Sequence, residues 1–445
     1  MEATAKRLVE RLRAAGHEAF YAGGCVRDKL LGKSAHDIDI ATNATPNDVQ
    51  KLFPRTVAVG AQFGVIVVLE DGHEFQIATF RSDGAYQDGR HPASVTFTTA
   101  EGDALRRDFT VNGLFYDPIE DRVLDFVGGQ EDLKARVLRC IGDPDARFTE
   151  DKLRLIRCVR FAASLGFSID PPTWDALCRK APEISVVSAE RIRDELVKIF
   201  THPSRVRGFD LLDECGLLKI LLPEMETLKG CEQPPEFHPE GDVFVHTRLM
   251  LSLLPEHASI PLVFSVLLHD TGKPATYLLD ETGRIRFNGH EGVSAKLTEN
   301  IFHRLRFSNA ETESTIVCVK NHMTFKDVPN MRVSTLKRLL ARPTIDDELE
   351  LHRVDCLGSH GLLDNYHFLL KKREEFSNEP LIPPPLITGR DLLAAGRKAG
   401  PLFKKILDAV EGLQLEGTLK TKDEALAWVA AQPEFQIPLS TDQTN

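Results

Sequence analysis

The sequence predicts an α+β protein in which a small mixed unit is followed by a long, almost wholly helical remainder. Three observations carry this expectation. The chain has 445 residues, too many for one core and enough for roughly three domains at about 150 residues each. Strand-like and helix-like patterns alternate over the first third, and from about Asp145 the helical spacing of Leu153, Ile156, Val159 and Phe161 takes over. Composition is that of an ordinary globular chain, 42% hydrophobic and 27% charged with 25 Pro and 30 Gly, which argues against wholesale disorder and fibrous repeats.

In chain order, Lys6 to Ala14 reads as a helix with Leu8, Leu12 and Ala15 on one face, Ala19 to Ala22 as a strand, and Gly23-Gly24 as a turn. Val26 to Leu31 follows as a short helix and Asp37 to Ile40 as a strand. Val65 to Leu69 and Phe75 to Phe80 are apolar, β-prone runs separated by Asp71-Gly72, a hairpin signal. The polar stretch from Arg81 to Ser94 fits neither period and reads as a mobile loop. Ala189 to Phe200 is a further helix with Ser188 as its N-cap, and proline-rich breaks near Cys231 and at Pro383 to Pro385 mark boundaries, leaving a tail from Leu386 to about Ala431.

Several function classes drop out. The longest apolar run, Ile260 to Leu268, is too short to span a bilayer. Met1 and Glu2 open an amphipathic stretch without the pattern of a signal peptide, so the expectation is a cytoplasmic protein with no membrane partner. The 8 cysteines are scattered without Cys-x-x-Cys, which suits buried thiols rather than a disulfide frame or structural zinc. The net charge of −11 disfavours nonspecific nucleic-acid binding, yet arginines concentrate at Arg106-Arg107, at Arg154, Arg157 and Arg160, and at Arg191 and Arg193. Local basic grooves on an acidic body remain open.

Asp37 and Asp39 flank Ile38, and a strand period of two sets both carboxylates on one face. Two hard oxygen donors beside a nucleotide site are the usual protein share of a Mg²⁺ site. Alone, Asp-x-Asp more often describes a solvated edge strand. Just upstream, however, Gly23 and Gly24 allow close backbone approach and Arg27 lies one turn into the next helix, an arrangement suited to phosphate.

At these residues the chain resembles the class II tRNA nucleotidyltransferases, a family of CCA-adding enzymes and related bacterial poly(A) polymerases. The matching segments are GGCVRDKLLG with DID, RRDFTVNGLFYDP, ARFTEDKLRLIRCVRFAASLGF and SAERIRDELVKIF, in family order over about the first 200 residues. The resemblance implies a polymerase-β-like nucleotidyltransferase head over residues 1–142 and a helical neck with the nucleotide-base template over 143–203. A helical body with an HD-like domain over 204–380 and a tRNA-binding helical tail over 386–432 follow. It also implies that Asp37 and Asp39 hold catalytic Mg²⁺, that the partners are tRNA, CTP and ATP, and that Arg157 and Arg160 lie near the nucleotide or the RNA phosphates.

The residue chemistry agrees. Arg106 and Arg107 offer forked donors for phosphate, Asp108 an acceptor for a ribose hydroxyl, and Asn112 an anchor for the same turn. If EDKLR is helical, Asp151 and Arg154 are neighbours three apart. An acceptor beside a donor matches the exocyclic amine and bare ring nitrogen of cytosine and adenine, and mismatches uracil and guanine. An i,i+3 ion pair on a charged helix face would look the same out of context. The Arg81 to Ser94 loop, with Asp88, Arg90 and His91, resembles the loop that the family uses to pass from C to A addition. Gln76 stands where members often carry Glu, with Glu74 of the same strand parity as a substitute.

CCA addition is therefore the expected activity, with a poly(A) polymerase of the same family as one alternative. A second is an HD phosphohydrolase acting on RNA ends. LLHDTGKP resembles the HD core, and His246, His269, Asp270 and Asp355, with His290 and His322 as further imidazoles, are spaced like a site for a second divalent metal. In the tail, Arg397, Lys398, Lys404 and Lys405 are either phosphate contacts or a solvated helix face.

Overall fold

The structure is a computed structural model that describes residues 1–34, 37–58, 64–84 and 95–435. The chain forms two compact units, one made of Met1–Lys229 with Pro255–Ala258 and Asn300–Ser308, the other of Gly230–Leu254, Ser259–Glu299 and the residues from Asn309 on. Its α+β character is as expected.

The first unit is built on a seven-stranded sheet. Its strands are β1 (Ala19–Ala22), β2 (Ile40–Thr42), β3 (Thr56–Val57), β4 (Val65–Glu70) and β5 (His73–Thr79); β6 (Arg81–Asp83) and β7 (Val95–Phe97) pair with each other outside it, and β8 (Phe115–Asp117) and β9 (Arg122–Leu124) complete it. The order is β3-β4-β5-β2-β1-β8-β9. Only β2 and β5 run parallel in it, with Ile40 opposite Ile77. The β4–β5 hairpin turns at Asp71 and Gly72, whose φ values of 50° and 76° are the left-handed pair that a two-residue type I′ turn requires. Phe20, Phe80 and Phe115 pack at centroid distances of 6.0–6.4 Å on one face. Each such buried ring contributes about 1.5–3 kcal/mol.

Helix α1 (Glu2–Ala14) starts four residues earlier than periodicity suggests and buries Ala5, Leu8, Val9 and Leu12, while Ala15 is exposed. Helix α2 (Gly24–Leu30) follows β1, and α3 (Pro46–Leu52) starts in a capping box of Thr45 and Asp48. Helices α4 (Ala100–Leu105) and α5 (Gly129–Ala135) complete the mixed part. The unit continues in α6 (Pro144–Glu150), α7 (Leu153–Leu165), α8 (Pro171–Lys180), α9 (Ala189–Phe200), α10 (Arg205–Glu214), α11 (Leu218–Leu221) and α12 (Pro223–Glu226). Ser188 is the N-cap of α9, as expected, but makes no side-chain cap bond.

One expectation fails. Asp151 and Arg154 do not share a helix, because α6 ends at Glu150 and α7 begins at Leu153. Asp151 is extended, at φ −134° and ψ 106°, and its Oδ1 accepts the Leu153 amide at 3.1 Å. A short carboxylate competes with the helix for backbone donors, which favours Asp at such a break.

The second unit is helical: α13 (Val243–Leu253), α14 (Ile260–Leu268), α15 (Lys273–Thr276), α16 (His290–Arg304, whose last turn falls in the first unit), α17 (Asn309–Asn321), α18 (Val333–Leu340), α19 (Ile345–Gly358) and α20 (Asp364–Glu375). The apolar run of α14 is a core helix, buried throughout from Leu262 to Leu268. Among the described residues no helix is long and apolar enough to cross a membrane. The tail helices α21 (Gly389–Ala394), α22 (Pro401–Leu415) and α23 (Lys422–Ala431) close around their own core of Leu392, Ile406, Val410 and Val429. Arg397 donates to the carbonyls of Val429 and Phe435, so it is a structural brace, whereas Lys398, Lys404 and Lys405 are exposed.

Candidate active site

A cavity of about 580 Å³ in the first unit collects Gly23, Gly24, Arg27, Asp37, Asp39, Arg107, Asp108, Asn112, Asp151, Arg154 and Arg157. All were expected there from the sequence. Arg160 is not among the residues lining it; its Nε bonds the buried Glu195 at 2.5 Å and its guanidinium lies 3.9 Å over the Phe161 ring.

The cavity begins where β1 ends. Gly23 adopts φ 77°, and a Cβ there would come within 2.9 Å of Arg107 Nη1, so glycine is what lets that guanidinium approach the backbone. Arg27 donates to Asn112 Oδ1 at 2.6 Å and, through Nε and Nη2, to Asp28 at 2.9 and 3.0 Å. Asp37 and Asp39 are exposed while Ile38 and Ile40 are buried, the alternation expected of a strand, although the ladder of β2 starts only at Ile40. Carrying the β2–β5 register one residue outward sets Gln76 beside Asp39, and Gln76 and Glu74 share the exposed face of β5.

The arginine pair is organised by a residue that pattern reading missed. Asp103, 1% exposed, accepts Arg106 Nε and Nη2 on Oδ1 at 2.9 and 2.6 Å, and Arg107 Nε and Nη2 on Oδ2 at 3.1 and 2.9 Å. Its i,i+3 and i,i+4 spacing to the two arginines was the available signal. Asp108 does not pair with Arg107. Oδ1 takes the Phe109 amide at 2.8 Å and Asn112 Nδ2 at 3.1 Å, and Oδ2 takes Arg157 Nε and Nη2 at 3.0 and 2.5 Å. Four donors fill the roughly four acceptor positions of a carboxylate. Burial alone would raise its pKa, but the charge and hydrogen bonds of Arg157 outweigh it and hold Asp108 at about 2.

Asp151 is less committed. Besides the Leu153 amide it accepts Arg191 Nη2 at 2.9 Å, half of a carboxylate's capacity. Arg154, 7% exposed, donates to the carbonyls of Arg147 and Arg106 at 3.0 Å each and to Glu150 at 2.7 Å, three of its five N–H bonds. Arg191, unassigned from the sequence except as part of a basic cluster, lines the same cavity.

A divalent metal is what a head of this type uses, and the residues fit one. Asp39 keeps surface open to solvent, yet the protein atoms around its carboxyl strip enough water from it to push it up to about 6, with the charge of Asp37 adding to the rise and Arg107 pulling the other way. A carboxylate that faces a second one at this distance from solvent is relieved by a shared cation. The loop from 85 to 94, with Asp88, Arg90 and His91, lies outside the described residues.

The other predicted set also converges, in the second unit. His246 Nε2 stands 3.2 Å from Asp355 Oδ1, and His269 Nε2 stands 3.1 Å from Asp270 Oδ2.

Comparison with known proteins agrees with this geometry. Residues 19–139 match the poly A polymerase head domain, and residues 166–229 match the family described as a probable RNA and SrmB-binding site of polymerase A. A CCA-adding enzyme of Geobacillus thermodenitrificans is 43% identical over 211 residues, which are 47% of this chain and 52% of the relative. One from Latilactobacillus sakei is 38% identical over 262 residues, 58% of this chain and 66% of that protein. The chain spans about half the length of the Geobacillus relatives it matches. Among solved structures, the Bacillus stearothermophilus CCA-adding enzyme in complex with CTP superposes with a TM-score of 0.72 at 26% identity over 95% of both chains. The Thermotoga maritima CCA-adding enzyme complexed with tRNA shares the fold, with a TM-score of 0.58 at 19% identity over 96% of this chain and 94% of that one. By its head, its adjoining segment and its fold, the chain is similar to the CCA-adding enzymes.

Proposed function

We propose that the chain adds CMP and AMP from CTP and ATP to tRNA 3′ ends, by nucleotidyl transfer with the protein itself as template. The single observation that carries this reading is that one cavity gathers the Asp37–Asp39 pair, a set of phosphate-suited arginines, and Asp151 with Arg154. Mg²⁺ at Asp37 and Asp39, once bound, lowers the barrier to attack by the RNA 3′ hydroxyl and neutralises the triphosphate.

The protein groups do the recognition. Arg27 and Arg107 meet phosphate oxygens, guided by the backbone approach that Gly23 and Gly24 allow. Asp108 reaches the ribose by exchanging one of its four donors for a hydroxyl. Asp151 accepts the exocyclic amine of cytosine or adenine with the capacity that Arg191 and the Leu153 amide leave over, and Arg154 donates to the unprotonated ring nitrogen. Uracil and guanine would place a carbonyl against the carboxylate and an N–H against the guanidinium, leaving both unmatched. The support for this pairing is shared cavity lining across the break between α6 and α7, not adjacency on one helix.

The test is incubation of the full chain with a tRNA transcript lacking its last three nucleotides and with CTP, ATP or both, followed by sequencing of the product. Addition of CCA with both nucleotides, and of C alone with CTP, is expected. Long tracts of A from ATP alone would make the chain a poly(A) polymerase instead.

A further inference from the structure

Three arginines of the first unit share one aromatic ring. Phe161, on α7 and 7% exposed, lines the cavity of the candidate active site. Helical side chains lean toward the N-terminus, so its ring covers the turn that carries Arg157, four residues earlier. The guanidinium carbons of Arg27, Arg157 and Arg160 lie over the ring at 5.3, 5.1 and 3.9 Å from its centroid, all within the range of a cation–π contact. Each guanidinium also has a carboxylate of its own: Asp28 for Arg27, Asp108 for Arg157 and Glu195 for Arg160. The ring is a contact that all three cations have in common, and Phe109 packs edge-on against it at 5.8 Å and 75°.

Two of these arginines are joined a second time. Arg27 Nη1 donates to Asn112 Oδ1 at 2.6 Å, and Asn112 Nδ2 donates to Asp108 Oδ1 at 3.1 Å. Asp108 Oδ2 in turn accepts Arg157 Nε and Nη2 at 3.0 and 2.5 Å. With Phe161 between Arg157 and Arg27, the contacts close into a circuit. A closed circuit fixes its members more firmly than the same contacts in an open chain, because none turns without displacing two neighbours. On one side of it stands the arginine assigned to phosphate, on the other the carboxylate assigned to the ribose hydroxyl. An aliphatic side chain would fill the space of the ring but offers no negative face to either guanidinium.

Resting on that nucleotide assignment, we infer that Phe161 is a positioning residue for nucleotide selection. Its π face couples Arg27 at the triphosphate to Asp108 at the sugar, so that the cavity prefers ribonucleoside over 2′-deoxyribonucleoside triphosphates. A ribose hydroxyl entering at Asp108 draws on a carboxylate whose donors, Asn112 and Arg157, lead round the circuit to Arg27. A deoxyribose has no hydroxyl to exchange there. Arg160 acts on the same ring from outside the cavity, and its bond to Glu195 ties the ring to α9.

The experiment places phenylalanines bearing one, two or three ring fluorines at position 161 of the full chain by nonsense suppression, beside Phe161→Leu. Fluorine drains the negative face that attracts a cation and scarcely changes the size of the ring. Kd for CTP and for dCTP, each with Mg²⁺, is measured by calorimetry. KM and kcat for CMP transfer to a tRNA transcript lacking its last three nucleotides follow. Kd for CTP should rise stepwise with fluorine number, to about fivefold with three and about tenfold in Phe161→Leu. The preference for CTP over dCTP should fall in parallel, with kcat changed less than about twofold. Equal Kd values across the fluorinated series would make the ring a filler of space and overturn the proposal. A Kd that rises equally for CTP and dCTP, or a parent that binds both alike, would break the link to Asp108 and overturn it too. A parent that binds CTP yet transfers nothing would end the proposed activity instead, and the Kd series would still decide the role of Phe161. Should Phe161→Leu fail to fold, the fluorinated series decides.

Discussion

The two charged cavities of this chain meet the problem of buried charge in opposite ways. In the first unit almost every ionic group already has a protein partner: Asp103 holds Arg106 and Arg107, Asp108 holds Arg157, and Asp151 holds Arg191. In the second, imidazole lone pairs and a carboxylate face one another with few donors between them. A self-neutralised site recognises its ligand by exchanging one partner for another, which costs little and keeps the geometry fixed beforehand. A site of unmatched acceptors keeps the cost of burying them. Among the described residues lining the first cavity, the exposed Asp37 and Asp39 are the local exception, and they are where the proposed Mg²⁺ would be held.

The sharpest way to break the comparison is to remove that exception. Asp37→Asn with Asp39→Asn should lower nucleotide transfer at least about 1,000-fold. Both side chains are exposed, so the melting temperature should stay level or rise slightly as their mutual repulsion disappears. Transfer near the parental rate would end the metal assignment.

Next in size is Asp108→Asn, which leaves the half-buried Arg157 with a neutral partner and should cost about 2 kcal/mol in denaturant unfolding. The pH dependence has a definite sign. Because folding depresses this carboxyl to about 2 from its ordinary 3.8, its ionic contribution is complete above about pH 4 and disappears as the pH falls toward 2. The parent should therefore lose about 2 kcal/mol across that window through this group, and the variant should not. Parallel acid limbs for the two proteins would contradict the ion pair.

Asp151→Asn keeps one oxygen for the Leu153 amide that Oδ1 accepts and gives up the Oδ2 contact with Arg191, so the backbone break and metal binding should survive. An amide both donates and accepts, and the preference for CTP over UTP should fall about 100-fold in kcat/KM. Retained discrimination would move the template elsewhere.

What the sequence made legible was local. The Asp71-Gly72 hairpin and the shared face of Asp37 and Asp39 follow from a period of two and from turn chemistry, and both are present. The break at Asp151 stayed hidden because Glu150, Lys152, Leu153 and Arg154 are good helix formers, and only the geometry of one carboxylate on the Leu153 amide interrupts them. Arg160 lies off the cavity for another reason. Its partner Glu195 lies 35 residues away on α9, a contact that no periodicity encodes. Asp103 lay between these extremes, with helical spacing to both arginines but nothing in the sequence to say that it was buried.

That residue supplies the smallest and most discriminating test of the comparison. If the first cavity works by partners arranged beforehand, Asp103→Asn should not simply free Arg107 to bind phosphate better. Asp103 occupies Arg107 Nε and Nη2, leaving Nη1 within 3.4 Å of the Asn112 carbonyl and against Gly23. Neutralising it loosens both guanidinium groups, and the entropy of fixing them again falls on nucleotide binding. The expected outcome is a KM for CTP and ATP raised about tenfold, equivalent to about 1.4 kcal/mol, with kcat much less affected. A KM that fell instead would mean that the carboxylate competes with the triphosphate for the arginines, and that the partners in this cavity hold the site closed rather than ready.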